Sequence, residues 1–158
     1  MALYIIISSI IGGIVLIGIA CLLYFYGGLF GVKTRTLAES ATLGPEWQTF
    51  TIQPPLEVQK VGQEILMQID NVNDWVEPGG ILLLGDGSQI QIEVELTDQN
   101  GKRHALVPTK VGASITFGPA RTEEGAGFAK GRRFVELRLR SNKPILARKI
   151  NWHCWTGK

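Results

Sequence analysis

From Trp47 onward, apolar residues recur at every second position and each run stops at turn-forming residues. This is the period of half-buried β-strands. Phe50 and Ile52 alternate with Thr49 and Thr51 until Pro54-Pro55, which is expected to end the run. Ile65, Met67 and Ile69 alternate with Glu64, Leu66 and Gln68. Residues 81–84 are a short apolar run closed by Gly85-Asp86-Gly87-Ser88, a turn sequence. The clearest strand spans 90–96, with Ile90, Ile92, Val94 and Leu96 inward and Gln91, Glu93 and Glu95 toward water.

Asn100-Gly101 predicts a hairpin into a strand over 104–107, because both residues tolerate the positive φ of tight hairpins. Ile115 and Phe117 mark another short strand, followed by a Gly-rich loop over 118–131. Beyond it, Val135, Leu137 and Leu139 are expected inward, with Glu136, Arg138 and Arg140 outward. Ser141-Asn142-Lys143-Pro144 turns the chain into a last strand over 145–155. There the phase changes: Ile145 and Ala147 belong to one face, and Ile150, Trp152 and Cys154 to the other. A bulge near Arg148-Lys149 would turn the later three inward and leave His153 and Trp155 toward the surface.

Seven or eight short strands without an amphipathic helix predict an all-β domain. The expected form is an antiparallel, jelly-roll-like β-sandwich, and a partly open barrel gives much the same pattern.

The first 32 residues follow a different rule. Residues 4–26 read YIIISSIIGGIVLIGIACLLYFY, 23 positions without an acidic, basic or amide side chain. As a helix this run reaches roughly 34 Å, against a hydrocarbon core of about 30 Å. It predicts a single transmembrane helix, and it is too long and too weakly basic at its start for a cleaved signal peptide. The expected organisation is an anchor over 1–32, a juxtamembrane linker over 33–45 with a helical turn near Leu37 to Ala41, and the β domain over 46–158. Lys33 and Arg35 follow the apolar run and no basic side chain precedes it, so the positive-inside rule favours a cytoplasmic β domain over an extracytoplasmic one. Cys21 lies within the apolar run and Cys154 near the far end of the β domain, so no disulfide framework is expected and the domain must rely on its core.

Charge changes the picture more than composition does. Residues 33–100 carry three basic and eleven acidic side chains, and residues 101–158 carry thirteen and three. The differences, −8 and +10, sum to the net charge of +2. The simplest expectation is pairing between the two halves of the domain. The alternative is a basic face made by Arg121, Lys130, Arg132, Arg133, Arg138 and Arg140 for an anionic partner, with Lys102, Arg103 and Lys110 as possible extensions.

Chemistry-bearing residues are sparse. His153 and Cys154 are adjacent on a strand, so they point to opposite faces and make no metal pair. Glu93 and Glu95 share a face, which is also what a solvated strand produces. Asp70, Asn71, Asn73, Asp74 and Glu77 form an oxygen-rich junction, a weak calcium candidate without EF-hand spacing. Catalytic residues, a resident metal and a cofactor are not expected. Trp75 and Trp155 are candidates for aromatic contact, with Trp47 and Trp152 expected in the core. Ser8/Gly12, Ser9/Gly13 and Gly27/Gly31 place small residues four apart, a spacing that lets membrane helices approach closely.

Together these features predict a non-enzymatic accessory or assembly subunit of a membrane complex, with integral membrane subunits as partners. Anionic lipid headgroups are a further possible partner, and nucleic acid is disfavoured. The alternative is a membrane-tethered, carbohydrate-binding module on the extracytoplasmic side, an expectation resting on fold-level analogy.

Overall fold

The computed structural model describes residues 32–59, 63–76, 80–112, 114–119 and 127–155. Among them no helix is long and apolar enough to cross a membrane. The expected anchor over 4–26 lies outside the described residues, as do its packing positions Ser8, Ser9, Gly12, Gly13, Gly27 and Gly31.

Residues Lys33–Trp155 form one compact unit, in which the described residues make ten strands. These are β1 (Val32–Leu43), β2 (Gln48–Glu57), β3 (Gln63–Ile69), β4 (Val72–Val76) and β5 (Ile81–Leu84), then β6 (Gln89–Asp98), β7 (Arg103–Lys110), β8 (Ile115–Pro119), β9 (Arg133–Ser141) and β10 (Ile145–Trp155).

The main path runs β1-β10-β3-β8-β7-β6, continued from β6 through β9 to β2. Every pairing whose register is resolved is antiparallel. β9 occupies one edge of β6, while β5 and β7 share the other, pairing with its first and second halves. The β4–β5 hairpin thereby extends the sheet beside the start of β6.

Side chains join the two ends of this path. Gln48 donates to the Thr42 carbonyl, Arg35 donates to the Gln53 and Pro54 carbonyls, and Lys33 Nζ donates to Gln59 Oε1 at 3.2 Å. The domain is thus an antiparallel β-barrel of jelly-roll-like character.

Strand alternation carries the core. On β3, Ile65, Met67 and Ile69 are buried, and on β6 Ile90, Ile92, Val94 and Leu96. Phe117 on β8 and Phe134 on β9 are fully buried as well. Each such side chain contributes about 1.5–3 kcal/mol relative to exposure.

Three local expectations are corrected. Residues 32–43 are strand β1 of the domain, not a linker with a helical turn; Ala41 and Leu43 are buried, with Leu37 and Ala38 packed against the core. The run of β2 does not stop at Pro54-Pro55 but continues to Glu57. Its register against β9 shifts between Thr51 and Leu56, and a bulged stretch needs no ladder N–H from proline. On β9 the inward residue near the start is Phe134, with Val135 only half-buried. A register shift where Phe134 meets Asp98 sets Val135 out of phase.

The bulge expected in β10 is present. The β10–β3 register shifts between Arg148 and Asn151, and Lys149 takes φ +48°. Ile150, Trp152 and Cys154 are consequently buried. The Asn100-Gly101 hairpin also forms, but only Gly101 takes positive φ, at 80°. The Gly101 N–H donates to the Asp98 carbonyl at 2.9 Å and the Asp98 N–H to the Lys102 carbonyl at 2.9 Å, a type I turn closed by a glycine bulge.

Candidate functional site

Cross-strand register decides where the charges go. Glu93 on β6 stands opposite Arg140 on β9, and Glu95 opposite Arg138. The resulting pairs are close: Arg140 Nη2 to Glu93 Oε2 at 2.7 Å, and Arg138 Nη1 to Glu95 Oε2 at 3.0 Å. The Glu93 hydrogen bond also holds the Arg140 pKa above its already high ordinary value. Trp47, in the β1–β2 connection, lies with its ring 4.5 Å from the Arg138 guanidinium and 4.6 Å from that of Arg140. It is therefore half-buried on the outer face of the sheet rather than part of the core, whereas Trp152 is buried as expected.

Further pairs join the acidic and basic halves: Arg133 with Glu57 at 3.4 Å, Arg148 with Asp70 at 3.4 Å, and His104 with Asp98 at 2.9 Å. The expectation of internal pairing matches this pattern.

The most buried of these groups is a hub at the β6–β7 hairpin. Asp98 is 4% exposed. Its Oδ1 accepts the Asn100 N–H at 2.9 Å and the Lys102 N–H at 3.1 Å. Its Oδ2 faces His104 Nε2. A carboxylate only accepts, so Nε2 donates to it, and Arg132 Nη1 lies 3.3 Å from both ring nitrogens. The imidazole rests edge-on against Phe128 and Phe134, with centroids 5.5 and 5.7 Å away. The His104 hydrogen bond lowers the Asp98 pKa from its ordinary 3.8, against desolvation by burial, with help from the two backbone N–H donors. This hub fixes the hairpin and seats Arg132 beside it.

Of the six arginines and lysines considered for one basic face, the five described ones do not share a surface. Arg138 and Arg140 belong to the paired outer ladder. Lys130, Arg132 and Arg133 lie instead at the end of the barrel where β1 starts, beside Lys102 and Arg103 of the β6–β7 hairpin. The Gln99 N–H donates to the Arg133 carbonyl at 3.0 Å, and the Val58 N–H to the Arg132 carbonyl at 2.8 Å, which ties these segments together. Arg121 lies outside the described residues.

The oxygen-rich junction after β3 divides as well. Asp70 turns toward Arg148, and Asn71 takes φ +63° while its carbonyl accepts the Gly85 N–H at 2.7 Å. The side chains of Asn73 and Asp74 lie outside the described structure, as does Glu77. The same holds for the side chains of Trp75 on β4 and Trp155 at the end of β10. Among the described residues, no group of three or more His, Cys, Asp or Glu side chains is placed to hold a metal ion.

The hub escaped the sequence reading, although a clue was present. Asp98 and His104 flank an Asn-Gly turn at positions that face each other across a hairpin. No protein-family model matches this chain, and no curated protein matches it.

Proposed function

We propose that this protein is a non-enzymatic accessory or assembly subunit of a membrane complex, held by one helix over residues 4–26. The observation that carries this reading is the 23-residue uncharged apolar run, which only five residues, 27–31, separate from β1. The small residues Ser8, Ser9, Gly12 and Gly13 supply a surface on which another membrane helix can pack closely. The carboxylates most suited to acid–base work support the same reading, because Glu93 and Glu95 are each committed to an arginine.

Two steps test it. The full chain is expected to stay with the membrane through alkaline extraction. Gly12→Leu combined with Gly13→Leu should then lower its recovery with partner subunits while leaving the β domain folded. Release by alkali would contradict the anchor, and unchanged recovery of the variant would contradict this packing surface.

A second reading is favoured by Trp47, an aromatic ring on the outer sheet face beside Arg138 and Arg140. Such a platform suits stacking on a sugar ring, as in a membrane-tethered module for extracytoplasmic glycans. Labelling the C-terminus from either side of intact cells separates the two: a cytoplasmic C-terminus excludes an extracytoplasmic glycan site.

A further inference from the structure

The charged side chains of the barrel are unequally divided between its two ends. The end where β1 starts also holds the exit of β2, the β6–β7 hairpin and the approach to β9. There Lys33, Lys102, Arg103, Lys130 and Arg133 are exposed and Arg132 is half-buried. Three described carboxylates stand against these six cations: Asp98, buried on His104, Glu57, paired with Arg133, and Glu64 at the start of β3. At the opposite end, Lys110, Lys143, Arg148 and Lys149 stand against Glu46, Asp70 and Asp86. Over these described side chains the local sums are +3 and +1. The excess is built into the fold, because the Asp98 hub fixes the hairpin bearing Lys102 and Arg103, and the Val58–Arg132 and Gln99–Arg133 hydrogen bonds draw the basic approach to β9 against it.

We infer that this basic end is a docking surface for anionic lipid headgroups. The inference rests on the membrane anchoring proposed above. Chain length supplies the argument for that occupant: five residues span at most about 18 Å, so a helix ending near residue 26 keeps the start of β1 close to the headgroups. Of the two barrel ends, the one the chain must bring to the bilayer is the one with the larger positive excess among the described side chains. Each basic side chain near an anionic surface contributes about fivefold to the ratio of docked to undocked states.

The test uses the full chain in lipid nanodiscs, either zwitterionic or containing about 30% phosphatidylserine. Lysines are acylated with a water-soluble reagent and their rates read residue by residue. In anionic discs, Lys102 and Lys130 should react at least about fivefold more slowly than in zwitterionic discs, and about 0.5 M salt should abolish the difference. Lys110 and Lys143 should react equally in both. Lys102→Glu with Arg103→Glu should remove the protection of Lys130, and Lys110→Glu with Lys143→Glu should leave it.

Equal rates at Lys102 and Lys130 in the two lipids would overturn the inference. So would protection in zwitterionic discs that survives high salt, which would indicate a protein contact, or equal protection at both ends. Failure of the chain to remain with the discs would instead overturn the anchoring on which the inference rests.

Discussion

His104 Nε2 lies 2.9 Å from Asp98 Oδ2, across a hairpin whose turn begins at Asp98 itself. One carboxylate therefore closes the turn through backbone N–H groups and fastens the next strand through an imidazole. Asp98 has a lowered folded-state pKa, so its contribution to stability is fully present above its ordinary 3.8 and is lost as pH falls through the lower folded value. Asp98→Asn should lower the melting temperature by several degrees at neutral pH, and the gap from the unsubstituted protein should narrow below 3.8. Thermal unfolding across acid pH checks this; a constant gap would contradict it.

Gly80 and Pro108 make a steric prediction. Gly80 takes φ +70°, and a Cβ there would stand 2.7 Å from both Cγ and Cδ of the Pro108 ring. Gly80→Ala should cost about 1–3 kcal/mol through backbone strain and overpacking together. Adding Pro108→Ala should recover the packing part and leave the backbone part. A double-mutant cycle in chemical denaturation reads the coupling, and strict additivity would show that the contact does not matter.

Lys149 offers the opposite experiment. It holds φ +48° in the β10 bulge, a conformation that glycine adopts without a Cβ penalty. Lys149→Gly should be neutral or stabilising by up to about 1 kcal/mol, whereas Lys149→Val should destabilise by more than that. Equal stability of the two variants would argue against the bulge.

The ion pairs should differ in worth according to exposure. The side chains of Arg133 and Glu57 are 55% and 51% exposed, and those of Arg138 and Glu95 are 14% and 23%. A double-mutant cycle at the first pair should give about 0–1 kcal/mol, falling further with salt. The coupling at Arg138–Glu95 should be larger and less sensitive to salt. A reversed order would contradict the placement of the outer ladder.

The legible parts of the fold were those where one physical signal acted alone. On β3 and β6, strict alternation marked the inward face, and the phase change between Ala147 and Ile150 revealed the β10 bulge. β1 was obscured because its small residue Ala41 is buried while Glu39, in the same alternation, is exposed, so hydrophobicity did not follow the pleat. Phe134 was missed because it directly follows Arg132 and Arg133 and sits one step out of phase with Leu137. Pairing between the halves could be expected from charge, but the partners depend on register. Only the β6–β9 pairing sets Glu93 opposite Arg140, Glu95 opposite Arg138, and so carries two arginines away from the supposed common face.

The central proposal, an anchored subunit working within a membrane assembly, is tested most directly by native mass spectrometry of the full chain. It would be purified in mild detergent from cells making it at natural levels. The expected result is a species heavier than the 17.3 kDa chain that contains at least one other integral membrane polypeptide in fixed stoichiometry. A lone monomer, recovered with its apolar segment intact, would contradict the proposal.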